Sequence, residues 1–250
     1  MTIEYNEDHI DTGPANYYVE KGLTGTVTAA ASGKTLTGAG TLFETELKVG
    51  QTCFVKDKTS GVETEVVIDE ITSDTAATTV VGVDAVALST MTALYNVGGI
   101  KDGIDVNIET STYEKTIDQM GSTPIGDSIN GRKVNLTVGL AELSPENWNR
   151  VIADQVGLKQ SGGKNLFRVT PSVGLDLFDI GVKHRIIPIV GQSETTDLDK
   201  ILTFWHVSPA AGTIGLKIAP DTPRPLKANF KAYPDPTTNE FFYMGDRSIA

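Results

Sequence analysis

The chain has 250 residues, 39% of them hydrophobic, and this length allows one large domain or two small ones, each with a buried core. A net charge of −11 excludes the basic surface needed to grip nucleic-acid phosphates tightly, and the single Cys53 excludes an intrachain disulfide. An acidic N-terminal stretch and the lack of a long apolar run predict cytoplasmic synthesis without export or membrane insertion.

Residues 23–93 differ in composition from the rest of the chain, because they are rich in Thr, Ala and Val. Short strand-like segments centre on Thr26, Phe54, Val66 and Thr79. Glycines mark both ends of this stretch, at Gly22 and near Gly99. The pattern predicts a small β domain inserted into a discontinuous parent domain formed by residues 1–22 and 94–250.

Two segments further on alternate apolar and polar residues, which predicts half-buried strands over 104–109 and 133–140. Residues 113–119 are expected to add extended structure after the first of them. Between the strands, the polar stretch 118–133 is interrupted by glycines and by Pro124, which allow or fix unusual backbone angles. We therefore predict a long loop here that connects an antiparallel pair.

One helix is predicted after this pair, with Ser144 as its N-cap and Pro145 at its first position. Apolar residues then recur at helical spacing, at Trp148, Val151, Ile152 and Val156. Further strands are predicted over 185–190, 201–207, 214–219, 226–232 and 240–244. Together these elements predict an all-β fold with one flanking helix.

No residue pattern indicates catalysis. The motif at 32–35, Ser-Gly-Lys-Thr, copies the end of a phosphate-binding P-loop, but Thr28 stands where that loop needs a glycine. His9, His184 and His206 are scattered, and one cysteine cannot complete a zinc site at the usual spacing. The sequence also has no Gly-x-Ser-x-Gly nucleophile motif. It therefore predicts no enzyme, no metal and no cofactor, and favours a binding or assembly protein.

Several segments, taken in order, resemble the tail tube (major tail) proteins of tailed bacteriophages. Residues 13–19 and 103–109 are similar to the first strands of that family, and 226–236 to its final strands. The most recognisable motif has the residues Asp118, Gln119, Gly121, Ser122, Thr123, Pro124, Gly131 and Arg132. Met120 departs from the family pattern, since it interrupts the usual Gln-Gly-Ser order.

The resemblance implies a β-barrel or sandwich flanked by a helix. It further implies hexameric rings that stack into a tube, through which double-stranded DNA is delivered into the host. The implied partners are other copies of this chain, a tape measure protein, a tail terminator and distal tail or baseplate proteins. The implied location is the virion tail, assembled in the host cytoplasm.

Under the same resemblance, the motif of residues 118–132 is expected to be an assembly loop that reaches an adjacent subunit or ring. Four acidic residues are expected to face the lumen and repel DNA phosphates: Asp105, Glu109, Glu114 and Asp118. The domain at 23–93 is expected on the tube exterior. The alternative function is a carbohydrate- or cell-surface-binding β-sandwich, which exposed aromatic residues among Phe43, Phe54 and Tyr95 would favour.

Overall fold

The protein is almost entirely β-structure in its computed structural model, which describes residues 14–30, 32–57, 63–83, 86–116, 124–142, 144–145, 147–148, 158–161, 164–167, 176–190, 192–195, 197–210 and 226–245. The strands are β1 Ala15–Gly22, β2 Thr26–Ala29, β3 Gly33–Ala39, β4 Thr52–Lys56, β5 Glu63–Ser73, β6 Ala76–Val83, β7 Val86–Asn96, β8 Ile100–Thr116, β9 Pro124–Leu140, β10 Leu158–Ser161, β11 Lys164–Phe167, β12 Val182–Val190, β13 Ser193–Glu194, β14 Leu202–Pro209, β15 Leu226–Tyr233 and β16 Phe242–Met244. A short helix, α1, spans Phe43–Glu46, and a 3-10 turn spans Leu198–Lys200. The predicted all-β fold class is confirmed.

The chain divides into two compact units, one formed by Tyr18–Asn96 and the other by Met1–Tyr17 with Val97–Ala250. The sequence placed the inserted domain at 23–93, because glycines mark those ends. In the structure, the second half of β1 already belongs to the inserted unit, since it pairs with β7 from Tyr18 opposite Asn96 onward. The glycine at position 22 ends a strand that begins before the boundary.

The inserted unit is a closed antiparallel barrel of six strands in the order β2-β3-β6-β5-β4-β7, and pairing of β7 with β2 closes it. All four predicted strand centres lie in strands, in β2, β4, β5 and β6. The Gly33-Lys34-Thr35 segment lies in β3 and begins no helix, in agreement with the interpretation that it is not a P-loop. The hydrophobic core of the inserted barrel contains Val27, Leu36, Phe43, Leu47, Cys53, Val55, Val66, Ile68, Ala77, Val83, Met91 and Ala93.

Glu46 of helix α1 forms hydrogen bonds with residues of two different barrel segments. The Glu46 carboxylate accepts hydrogen bonds from the Thr24 backbone N–H at 2.9 Å and from the Thr24 hydroxyl at 2.7 Å. The Tyr95 hydroxyl donates to the Glu46 carbonyl. One residue thus anchors the start of β2 and the end of β7, the two strands whose pairing closes the barrel.

Cys53 is fully buried in this barrel core, and burial raises the pKa of its thiol from 9.0 to about 12. We expect thiol reagents to label it only after the barrel unfolds, because the reactive thiolate is absent at neutral pH. The native state keeps the proton while the unfolded state loses it, so this group's contribution to stability falls as pH rises from about 9 to about 12. Thiol labelling rates measured across a urea series test whether labelling requires unfolding of the barrel. Labelling of the folded protein at the rate of a free thiol would contradict this expectation.

The second unit is built on a sheet in which β12, β14, β15, β9 and β8 pair antiparallel in that order, with β13 on β12 and β16 on β14. The first residues of β1 belong to this unit and lie beside β12. Its buried face alternates with a polar face along β9 and β15, as predicted from the sequence. The buried residues on these two strands are Val134, Leu136, Val138, Leu140, Leu226, Ala228, Phe230 and Ala232.

A polar pair lies inside this second core. The Tyr17 hydroxyl and His184 Nδ1 share a hydrogen bond, and the His184 ring packs edge-on against Phe230 with centroids 5.0 Å apart. Burial raises the pKa of Tyr17 well above its usual value, so its hydroxyl stays neutral. His184 therefore packs inside this core, and its Nδ1 atom is satisfied by the tyrosine.

The predicted helix start is confirmed. The Ser144 hydroxyl accepts a hydrogen bond from the Asn147 backbone N–H at 3.1 Å, and Pro145 is helical. The predicted helix residues 149–157 lie outside the described residues, as do the predicted strand 214–219 and His9. No helix in the described parts of the chain is long and apolar enough to span a membrane.

Candidate functional site

The largest single feature of the second unit is the hairpin of β8 and β9, each 17 residues long. They pair antiparallel from Ile100 opposite Leu140 to Thr116 opposite Pro124. The sequence predicted a loop over 118–133, and this is wrong for 124–133: Pro124, Gly131 and Arg132 lie in strand β9. The connection between the strands is confined to residues 117–123, which lie outside the described residues, as do Asp118, Gln119, Gly121, Ser122 and Thr123.

Burial changes abruptly along this hairpin. The inner half of β9, from Val134 to Leu140, places every second side chain in the core. We call the outer half, residues 108–116 with 124–133, the arm. Its described side chains are all exposed except Ser128 and Gly131, which are half-buried. Nine residues of strand span roughly 30 Å at about 3.3 Å per residue, so the arm is long and has neither face covered.

The arm nevertheless carries four large apolar side chains. These are Ile108 (49% exposed), Tyr113 (65%), Ile125 (52%) and Ile129 (62%). Ile108 lies opposite Val134 and Ile129 opposite Thr112, so both isoleucines continue the face that is buried further in. Arg132, opposite Thr110, stands between them on that face.

The hairpin also forms one end of its sheet. Among the described strands β8 pairs with β9 alone, so one side of a 17-residue strand has no strand partner there. Such an edge is a template for pairing with another chain. The described part of the molecule therefore offers an unpaired edge and an uncovered apolar face in the same element.

Three register shifts interrupt the pairing of β8 with β9, and the outermost leaves Ile125 between the pairs Lys115–Gly126 and Thr116–Pro124. In β9 an extra residue, Asn130, falls between the pairs Ser111–Gly131 and Thr112–Ile129. In β8 the backbone angle φ is positive at Asp102 and Gly103, where the register with β9 shifts. The Lys101 carbonyl there passes so close to Gly139 that any Cβ at position 139 would collide with it. Bulges of this kind bend and twist a strand, which sets the direction in which the hairpin projects.

Three of the four acidic residues that are predicted to face a lumen lie in β8. Asp105 and Glu109 lie on the polar face of β8, Glu109 directly opposite Lys133. Glu114 lies on the other face, opposite Asp127, and Asp118 lies outside the described residues. Their positions in β8 separate them, since odd and even residues of a strand point to opposite faces. Lys133, Lys227 and Lys231 share the polar face with Asp105 and Glu109, so its charge is mixed.

The aromatic residues that would favour carbohydrate binding are not displayed. Phe43 and Phe54 are buried in the inserted barrel, and Tyr95 is half-buried with its hydroxyl bonded to Glu46. Among the described residues no group of three or more His, Cys, Asp or Glu is placed to bind a metal ion.

Sequence reasoning missed the exposed isoleucines and Tyr113 of the arm. The available signal was the presence of large apolar residues in a polar, glycine-containing stretch.

Comparison with known proteins does not identify a family for this chain. No family model matches the chain, and no curated protein matches it.

Proposed function

We propose that this protein is a structural subunit that assembles with copies of itself into stacked hexameric rings, forming a phage tail tube through which double-stranded DNA passes. The observation that carries the proposal is the arm, a long hairpin whose described side chains are exposed on both faces and whose β8 edge pairs with no other described strand. Of the motif residues that resemble tail tube proteins, Pro124, Gly131 and Arg132 lie in β9 of this same hairpin, and the other five fall in the sequence between its two strands, outside the described residues.

An isolated two-stranded hairpin is at best marginally stable in water, because it cannot bury a face. The arm is such a hairpin, because it extends about 30 Å beyond the core with neither face buried. Covering its isoleucines in an assembly would stabilise both the arm and the contact, by on the order of 1 kcal/mol for each side chain whose exposed half is buried. A chain with no partner gains nothing from such an arm.

Edge pairing supports a ring in particular. The open edge of one copy can pair with a different part of the next copy. The same contact then repeats from copy to copy, and no copy is left with an open edge once the ring closes. Closure removes every exposed edge. A monomer would leave β8 open to unregulated pairing.

Charge supports the arm as the place of contact. The whole chain carries −11, so copies repel one another over most of their surface. On the arm, Glu109, Glu114 and Asp127 are balanced by Lys115, Arg132 and Lys133, which makes it neutral. Neutral surface can approach a second copy without the general repulsion.

Negative-stain electron microscopy of the purified protein tests the proposal. We expect rings or tubes with six-fold symmetry and a hole wide enough for a DNA duplex. The proposal also places the inserted barrel on the exterior, so replacing residues 18–96 with a short glycine turn is expected to narrow the tubes but not abolish them. A protein that stays monomeric at high concentration would overturn the function. Loss of tubes in the barrel deletion alone would overturn only the exterior placement.

A further inference from the structure

The outer half of β9 contains one asparagine that has no partner in the hairpin. Asn130 is the extra residue between the pairs Ser111–Gly131 and Thr112–Ile129, so no residue of β8 lies opposite it. Its side chain is exposed, and it forms no hydrogen bond or ion pair with any residue that the structure describes. The asparagine amide is therefore free to rotate at a point where the pairing of the backbone is interrupted.

Glycine follows Asn130, and this is true of no other asparagine in the chain. A glycine has no side chain beside its backbone nitrogen, and its backbone adopts conformations that other residues resist. Both properties favour attack of that nitrogen on the side-chain amide carbon of the preceding asparagine. The product is a five-membered succinimide ring. The reaction takes place within one chain and needs no enzyme.

Water is the only co-reactant that this reaction needs. A bond forms between the Gly131 backbone nitrogen and Cγ of Asn130, the nitrogen loses its proton, and the side-chain nitrogen leaves as ammonia. Water then breaks one of the two C–N bonds of the ring, giving a hydroxyl group to the carbon and a proton to the nitrogen. Breaking the bond to Cγ yields aspartate, and breaking the bond to the backbone carbonyl carbon yields isoaspartate.

Two other asparagines show the contrast. The Asn107 side chain on β8 donates a hydrogen bond to the Glu109 carboxylate at 3.4 Å, and the Asn147 side chain donates to the Val97 carbonyl at 2.9 Å. The residues that follow them are isoleucine and tryptophan, whose side chains hinder attack by the next backbone nitrogen. Asn107 is also exposed and belongs to the same hairpin, so it provides an internal comparison.

Conversion of Asn130 changes the arm both in charge and in backbone. The charged residues of the arm balance one another, so a new carboxylate gives the arm a net negative charge, as the whole chain has. Isoaspartate also adds one carbon atom to the backbone at the bulge, and this bulge bends and twists the strand. Both products therefore alter the element on which the proposed assembly depends.

We propose that Asn130–Gly131 is a site of spontaneous deamidation in the folded subunit, and that the products weaken assembly. Unassembled subunits convert with time, whereas packing of the arm in an assembly restricts the bulge and slows the reaction. The modification site follows from the single chain, and only its effect on assembly rests on the proposed function.

Peptide mapping by mass spectrometry tests the modification site. The folded, unassembled protein is incubated at neutral pH and physiological temperature, digested, and analysed for aspartate and isoaspartate. We expect Asn130 to convert while Asn107 stays intact in the same sample. A synthetic peptide with the sequence of residues 125–135 gives the rate without the fold. An Asn130 that stays intact in the protein while this peptide converts would overturn the site.

Gly131→Ala is the matched variant for the chemistry. A Cβ at position 131 meets the Ser111 hydroxyl oxygen at 3.5 Å, an ordinary van der Waals distance, so the strand has room for alanine. The asparagine is kept, but the added methyl group hinders the attack, and we expect conversion to slow at least about tenfold. Equal rates in the variant and the wild type would show that Asn130 does not react through this nitrogen.

Fractionation of a partly converted preparation tests the effect on assembly. The aged protein is assembled, the rings are separated from free subunits by sedimentation, and mass spectrometry measures the converted share in each fraction. We expect converted chains to be enriched at least about threefold among the free subunits, the scale of an exposed like-charge contact. As an independent measurement, Asn130→Asp is expected to need a higher concentration for assembly than Asn130→Gln, which keeps a neutral amide.

The outcomes separate this inference from the proposed function. Converted chains that enter rings as readily as unconverted ones overturn the effect on assembly and leave the proposed function standing. If the wild-type protein forms no assembly at all, the proposed function falls, and the effect on assembly falls with it. The mass spectra of the unassembled protein decide the modification site in either case.

Discussion

Replacing Ile129 by Asp is expected to abolish ring assembly and to leave the folded subunit intact. The side chain is 62% exposed in the single chain, so the change removes little buried surface and should alter the free energy of unfolding by less than about 1 kcal/mol. In an assembled contact the new carboxylate would be buried without a partner. Such a charge costs about 3 kcal/mol or more, which weakens each contact at least about a hundredfold.

Sedimentation velocity and electron microscopy measure the assembly of this variant. Val81→Asp is the matched control, because it makes the same kind of change at a β-branched strand residue that is 67% exposed on the inserted barrel. We expect Val81→Asp to assemble as the wild type does. Assembly of Ile129→Asp at wild-type concentration would show that the arm face is not an interface.

Replacing Phe230 by Ala is expected to have the largest effect on stability. Phe230 is almost fully buried in β15, lies opposite Leu136 on β9 and packs against Tyr17 and His184. Removing a buried phenylalanine ring typically costs about 3–5 kcal/mol, through lost burial and the cavity that remains. The hydrogen-bonded pair of Tyr17 and His184 would also lose the ring that packs against both.

The chain offers a separate probe for each unit. Both tryptophans, Trp148 and Trp205, lie in the unit that contains Phe230, whereas the only thiol, Cys53, lies in the inserted barrel. In a urea titration we expect Phe230→Ala to move the tryptophan fluorescence transition to lower urea and to leave the thiol-exposure transition in place. The exposed neighbour Lys227→Ala should move neither transition. An unchanged tryptophan midpoint in Phe230→Ala would contradict the assigned core.

The inner part of the hairpin could be predicted from the sequence because one of its faces is buried. Val134, Leu136 and Val138 are apolar, while Asn135 and Thr137 between them are polar, and this alternation defines a strand. The start of the helix could be predicted for an equally local reason. Ser144 has an oxygen at the distance that an exposed backbone N–H three residues later requires.

The arm could not be recognised as strand in the same way. Neither of its faces is buried in the single chain, so no core requires apolar and polar residues to alternate along it. Pro124, Gly126 and Gly131 are residues typical of turns, and they led to the prediction of a loop. The register was equally inaccessible, because the extra residue at Asn130 is a matter of pairing between strands and leaves no trace in composition. The assembly role of the eight motif residues stays a prediction.

The position at which the barrel leaves the parent chain has a consequence for how such a protein can change. The Val97 backbone N–H donates to the Tyr17 carbonyl at 3.0 Å, so the two ends of the parent chain meet at the insertion point. An inserted domain whose two ends are already close together adds almost no entropic cost of chain closure to its host, whatever its length. The junction should therefore accept foreign domains with adjacent termini, and exchange of whole modules there would leave the sequence of the parent sheet unchanged.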